Sequence, residues 1–326
     1  MNTRDALINI LADGSFYSGQ KLGAMLGLSR SAVWKQVQAL SQYQLDIHAV
    51  SGKGYRLAQP LELLDKDVIF SHIGTLEDKA PFDIDVLLDV DSTNRYLIEK
   101  SKLDQRNRQV CIAEYQHAGR GRRGREWVSP FASSLYCSLL WRSNLSLSAL
   151  SCLGLVVAVA LARALNKEGL KGHQIKWPND LYWQDKKMGG ILLEAAGEVS
   201  GPGVIVIGIG LNIDLPSTAA EKIDQPWVDL NMALNTKVSR NKVAALVIAE
   251  VFNSLSQFEQ QGFDCFHQEW DSLDLLKKRP IKLSTGNGTI EGYAEGVDEQ
   301  GALLLRMDDG DIKQFYSGEV SVRYDV

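Results

Sequence analysis

The sequence predicts an α/β (α+β) chain in three parts, and three observations predict it. Residues 1–60 hold short amphipathic helical patterns followed by a hairpin. Residues 67–272 mix apolar strand-like runs with helical ones, as a mixed sheet requires. Residues 275–326 hold only short alternating runs broken by Gly, Asn and Asp, the pattern of a small β-barrel. The chain has 326 residues, 45% hydrophobic and 23% charged, which suits a globular protein of two or three domains. Its net charge of −5 is unevenly spread: residues 1–60 carry six Lys/Arg against three acids, leaving the rest at −8. A basic end on an acidic body points to nucleic acid at that end only.

In the first part, Leu7, Ile8 and Leu11 fall on one face of a first helix. Ser18 can cap a second that buries Leu22 and Met25 and ends at Gly27. Ser29 caps a third, where Val33, Val37 and Leu40 recur at i, i+4 and i+7. Its outer face presents Arg30, Ser31, Lys35 and Gln38, and a hairpin follows with Lys53 at its tip. These are the parts of a winged helix-turn-helix, with cations where phosphate contact needs them. A protein-docking module is the alternative. One such domain covers a half-site, so DNA binding implies a homodimer. Gln59-Pro60 and the segment to Asp67 read as a linker.

Asp83 to Val90 reads as a strand and Gln109 to Ala113 as a second. Between them Asp91-Ser92-Thr93-Asn94 opens a helix, either as caps or as a helix N-terminus offered to a small polar ligand. The stretch Glu114 to Trp127 then holds Arg120, Arg122, Arg123 and Arg125 spaced by Gly119, Gly121 and Gly124. Glycine loosens a segment and arginine forks suit carboxylate and phosphate, so this predicts a mobile cationic loop over an anion; a solvated basic turn is the alternative. The string Gly119-x-Gly121-x-x-Gly124 mimics a dinucleotide fingerprint. However, Pro130 and a strand at Ser134 to Trp141 follow where a helix would have to open.

Ser148 can cap a long apolar helix to Leu165, too short in its apolar part to span a bilayer. Strands are expected at Ile175–Trp177, Leu181–Trp183, Lys187–Leu193 and Val204–Leu211. The glycines of Gly208-x-Gly210-x-Asn212 allow close approach of a ligand. The four cysteines, Cys111, Cys137, Cys152 and Cys265, lack metal-ligand spacing and read as reduced thiols; with a polar N-terminus they suggest a cytoplasmic protein. Five strands then close the chain, at Pro280–Ser284, Thr289–Gly296, Ala302–Met307, Ile312–Tyr316 and Val320–Val322.

In order and spacing, Gly119-Arg-Gly-Arg-Arg-Gly-Arg125, Lys176-Trp-Pro-Asn-Asp-Leu181, Lys187-x-Gly-Gly-Ile-Leu192 and Gly208-x-Gly-x-Asn212 resemble the biotin–protein ligase family. With the winged helix in front, the whole chain is similar to its bifunctional form, the biotin operon repressor. The resemblance implies a class II synthetase-like central domain, an SH3-like barrel beside the active site, and ATP, Mg2+ and biotin as ligands. It implies biotinyl-5′-adenylate, transfer to a lysine of a biotin carboxyl carrier protein, and adenylate-driven homodimers on operator DNA. Lys176 would bridge carboxylate and α-phosphate, with Arg120 and Arg122 over the adenylate and Arg123 and Arg125 on phosphates. Ser92, Thr93 and Gln116 would bind the ureido end, Gly119 and Gly208 would offer backbone, and Asn94 and Asn212 would complete the substrate site. Trp227 would stack on adenine, whereas Trp127 packs as a core tryptophan. Asp180 orients an amine or metal, or caps its turn. No protein nucleophile is required, in keeping with the missing Ser/His/Asp and Cys/His patterns.

Overall fold

The computed structural model describes residues 3–73, 81–143, 151–196, 203–285, 288–318 and 321–324. Three helices open it: α1 (Thr3–Leu11), α2 (Gly19–Leu26) and α3 (Arg30–Ala39). Ser18 accepts from Lys21 N and Ser29 from Ala32 N, so both serines cap as their positions predict. Gly27 takes the left-handed conformation (φ 67°) that stops α2. A 3-10 turn, Leu40–Tyr43, leads to the wing, in which β1 (Ile47–Val50) pairs with β2 (Gly54–Leu57). Leu7, Ile8, Leu11, Leu22, Val33, Val37 and Leu40 form the core of this domain. Met25 is the exception to the expected pattern: it is 53% exposed, lying off the stripe that Leu22 buries.

The segment read as a linker is hydrogen-bonded to the start of a later helix, Arg240–Gln261. Glu62 accepts from Arg240 N (2.7 Å), Ser239 Oγ (2.5 Å) and Asn241 Nδ2 (3.0 Å). Asn241 also donates to Leu63 O and accepts from Asp65 N. Asp65 caps α4 (Lys66–His72).

The central sheet has seven strands: β3 (Asp83–Val90), β4 (Gln109–Gln116), β5 (Ser134–Ser143), β6 (His173–Lys176), β7 (Asp180–Trp183), β8 (Lys186–Ala196) and β9 (Gly203–Asn212). Their order is β3-β4-β5-β9-β8-β7-β6; β3 and β4 are parallel and every other pair antiparallel, a mixed sheet. Helix α5 (Thr93–Leu103) covers one face through Leu97, which packs with Cys111, Leu140 and Val206. The other face carries the main core, under α6 (Leu153–Glu168) and α9 (Arg240–Gln261). Ser148 lies outside the described residues; in the described chain Cys152 is the N-cap of α6. Short α7 (Ser217–Ala220) and α8 (Leu230–Leu234) precede α9, and α10 (Asp264–Leu273) follows it.

The chain ends in β10 (Pro280–Thr285), β11 (Gly288–Val297), β12 (Leu303–Arg306), β13 (Ile312–Phe315) and β14 (Ser321–Tyr324). They form one antiparallel sheet in the order β13-β12-β11-β10-β14. Among the described residues no ladder joins β13 to β14, so the hydrogen bonding is that of an open sheet. Gly286, Asn287 and Val320, expected in a turn and at a strand start, lie outside the described residues.

Tyr43 and Trp177 help to set the outer domains against the sheet. Tyr43 packs on Tyr115 and Phe131, with ring centroids 5.4 and 4.8 Å away, and donates to Asp89. Trp177 Nε1 donates to Gly301 O (3.0 Å), joining the β6–β7 turn to the C-terminal sheet.

Candidate active site

The C-terminal end of β4, the first turn of α5, the arginine loop, the β6–β7 turn and the glycines of β8 and β9 enclose a cavity. One side is neutral. Ser92 sits at the N-cap of α5 but makes no side-chain capping bond, and the residue lines the cavity. Thr93 N donates to Gln116 Oε1 (3.0 Å), and Gln116 Nε2 donates to Ser129 Oγ (3.1 Å). Ser138 Oγ lies 2.7 Å from Thr93 Oγ1 and 2.6 Å from Asn94 Oδ1. These side chains, buried except for the half-buried Gln116, hold one another in place and retain spare donors and acceptors for a neutral polar ligand.

The other side is cationic. The arginine loop is folded back as a small hairpin: Trp127 N donates to Gly119 O (2.9 Å) and Gly121 N to Arg125 O (2.7 Å). Arg123 (φ 57°) and Gly124 (φ 71°) make its tight tip. Arg122 reaches back, its Nη1 donating to Asn179 Oδ1 (2.9 Å) and its Nη2 to Ser317 O. Burial pulls the pKa of its guanidinium down. Lys176 Nζ lies 5.5 and 4.9 Å from the ring centroids of Tyr182 and Tyr324. Burial lowers its pKa, while Asp180 acts the other way. Lys187 is 2.9 Å from Asp180 Oδ1 and 5.6 Å from the centroid of Trp127.

A smaller cavity adjoins the first. Glu126, Trp127, Lys187 and Gln225 line both. Trp227 and Asn212 line only the smaller one. Asn212 is buried and donates to Val228 O (3.3 Å), fixing the segment that carries Trp227.

Of the residues singled out in the sequence, Ser92, Thr93, Asn94, Gln116, Arg120, Arg122, Arg123, Arg125, Lys176 and Gly208 line the main cavity. Gly119 does not. A Cβ there would lie 2.5 Å from Trp127 O, so this glycine serves the closure of the loop. The strand glycines admit the protein's own side chains: a Cβ on Gly208 would fall 2.4 Å from Asn94 Oδ1, and one on Gly210 2.4 Å from Trp127 Cε2. Trp127, expected as a core tryptophan, instead forms the wall between the two cavities. Sequence reasoning placed no role on Lys187, although it heads a quoted motif, nor on Ser129, nor on Ser138 and Glu194, whose partners lie far away in the chain.

In the N-terminal domain Arg30, Ser31, Lys35, Gln38 and Lys53 are all exposed, on α3 and the wing tip. Trp34, unremarked in the sequence, shares that face at 52% exposure. Phe16 underlies the wing, with Lys53 Nζ 5.7 Å and the Arg56 guanidinium 5.0 Å from its ring.

A winged helix joined to a mixed sheet, whose cavity sets a neutral pole against a ring of cations, defines a class: a DNA-binding module fused to an acid-activating ligase core. Three family models match along the chain. Residues 3–56 match the HTH domain, 88–212 the biotin/lipoate A/B protein ligase family and 279–323 the biotin protein ligase C terminal domain. The bifunctional ligase/repressor BirA of Escherichia coli (strain K12) is 42% identical over 97% of this chain and 96% of its own. Its namesake from Bacillus subtilis (strain 168) is 31% identical over 95% of each. The biotin protein ligase of Aquifex aeolicus, solved with biotin and ATP, superposes with a TM-score of 0.64 at 30% identity, covering 74% of this chain and 99% of that one. The chain belongs to the biotin–protein ligase family, in its bifunctional ligase/repressor form.

Proposed function

We propose that the chain couples biotin to ATP as biotinyl-5′-adenylate, passes the biotinyl group to a lysine of a biotin carboxyl carrier protein in the cytoplasm, and represses transcription when adenylate-loaded. The observation that carries this reading is the junction of the two cavities. Ser92 and Thr93 offer hydroxyls, and Gln116 an acceptor, to a ureido ring in the larger cavity. Trp227 offers a face to adenine in the smaller one. The carboxylate and α-phosphate then meet between them, where Trp127 and Lys187 stand.

A carboxylate oxygen attacks the α-phosphorus, the bond to the β-phosphate breaks, and pyrophosphate leaves. The approach of two anions is resisted unless fixed cations stand at the point of contact. Lys187, lining both cavities, takes the bridging place assigned from the sequence to Lys176. Lys176 faces the C-terminal sheet, with Arg122, on the side where pyrophosphate departs. Among the described residues no three metal-ligating side chains cluster. Magnesium needs only one or two carboxylates beside phosphate oxygens and water, and Asp180 is the carboxylate on this wall that fits. Bound with ATP, the ion would neutralise phosphate charge. In the second half-reaction the carrier amine attacks the acyl carbon and AMP leaves with the bonding pair.

Lys187→Gln should cut biotin-dependent exchange of labelled pyrophosphate into ATP by about 100-fold or more, on the order of removing one electrostatic contact from a transition state. A rate within about threefold of the parent would remove Lys187 from the step. For the repressor half, Trp34→Ala and Lys35→Ala should each weaken an adenylate-dependent gel shift on duplexes selected from a random library, while leaving exchange intact. Equal shifts with and without adenylate would refute the coupling, and failure of the loaded chain to sediment as a homodimer would refute dimeric repression.

A further inference from the structure

We propose that Glu194 is a positioning residue for the arginine loop: by gripping Arg120 and Asn94 together it fastens the loop's first foot to the sheet and so keeps the adenylate in place. The inference rests on the ligase reading above and adds to it a residue outside the cavity lining.

Glu194 lies on β8. Its Oε2 accepts from Asn94 Nδ2 at 2.7 Å and from Arg120 Nη2 at 3.3 Å, and its Oε1 lies 3.1 Å from the same Nη2. The ion pair alone would carry little: the two side chains are 23% and 45% exposed, and such pairs are worth about 0–1 kcal/mol. Asn94 gives the contact its weight. It is 3% exposed, and its second amide hydrogen goes to Leu192 O (3.3 Å). With Ser138 Oγ on Oδ1, the amide is held by three contacts from two strands, β8 and β5, and Glu194 determines which of its atoms faces Ser138 and Thr93.

The contacts form a chain with two ends on one loop. It runs from Arg120 through Glu194, Asn94, Ser138, Thr93, Gln116 and Ser129 to the carbonyl of Trp127. Both feet of the arginine loop are thereby tied to the side chains that would hold the ureido ring. A carboxylate beside a site for anions would ordinarily oppose binding; here Arg120 neutralises it. Glu194 is the only link in that chain that carries a negative charge, and Arg120 the only positive one.

The test uses the full chain and its Glu194→Ala, Glu194→Gln, Arg120→Ala and Glu194→Ala/Arg120→Ala variants, loaded with labelled biotin and ATP and chased with unlabelled biotin. Glu194→Ala should release adenylate roughly tenfold faster and raise KM for biotin, with kcat for pyrophosphate exchange within about threefold of the parent. Glu194→Gln, which keeps an acceptor for Asn94 and loses the charge, should fall between. The double variant should match the worse single one, as coupled residues do. Unchanged release from a folded Glu194→Ala, additive effects, or a fall in kcat alone would each overturn the proposal. Should Glu194→Ala fail to fold, release from Glu194→Gln indistinguishable from the parent does the same. A parent that forms no adenylate sinks the ligase reading and this one together; a parent that forms it while the variants hold it equally sinks this one alone.

Discussion

Gly210 shows how a single missing methyl group shapes the site. Its absent Cβ leaves room for the Trp127 indole, and Gly190 clears the same ring from the neighbouring strand, where a Cβ would meet Trp127 Cζ3 at 3.3 Å. Gly210→Ala should push the indole into the cavity and lower pyrophosphate exchange by on the order of 10- to 100-fold, as a misplacement of about 1 Å can. Circular dichroism should stay that of the parent while Trp127 fluorescence changes. The glycines were legible as points of close approach, but what approaches was not, since Trp127 lies across the sheet. Lys176 supplies a pH dependence. Burial lowers its pKa, so the ammonium is lost at a lower pH than the ordinary value of about 10.4. Adenylation should therefore fall on the alkaline side as pH rises through that lowered pKa, and Lys176→Arg should move the fall upward.

Among the elements, the joint between α10 and the C-terminal sheet carries an unusual acid. Asp274 Oδ1 accepts from Leu276 N (2.9 Å), whereas Oδ2 has no partner among the described residues. Burial pushes its pKa up to about 6. Between about pH 4 and 6 the unfolded chain loses this proton while the folded one keeps it, so stability falls as pH rises and the cost is constant above. Asp274→Asn keeps the acceptor and removes the charge. It should raise the stability by about 1–3 kcal/mol at pH 7.5 and leave it unchanged at pH 4, read from denaturant midpoints. Strands were the legible elements, because Gly, Asn and Asp punctuate them. Helix α9 went unread although Ser239 caps it and Val243, Val247, Val251 and Leu255 recur along its buried side. Nothing local marks Arg240 at its start as buried, since its partners Glu62 and Glu114 come from distant segments.

At the scale of the whole molecule, three domains were legible because their periodicities differ, but the fastening between them was not. Arg240 donates to Glu114 (2.8 Å), Glu62 O (3.0 Å) and Ser134 O (3.0 Å), with both charged side chains of the Arg240–Glu114 pair under 5% exposed. Glu62 in turn closes the first turn of α9. A chain beginning at Gln59 keeps these contacts; one beginning at Lys66 leaves several buried donors unmet, at about 1–3 kcal/mol each. The shorter chain should melt several degrees below the longer one, measured by calorimetry. The strap at Glu62 thus belongs to the catalyst, although it reads as a spacer. Anyone paring this protein down to its ligase core will find that the knife can fall just after the wing, and that a cut seven residues later in the chain takes part of the enzyme with it.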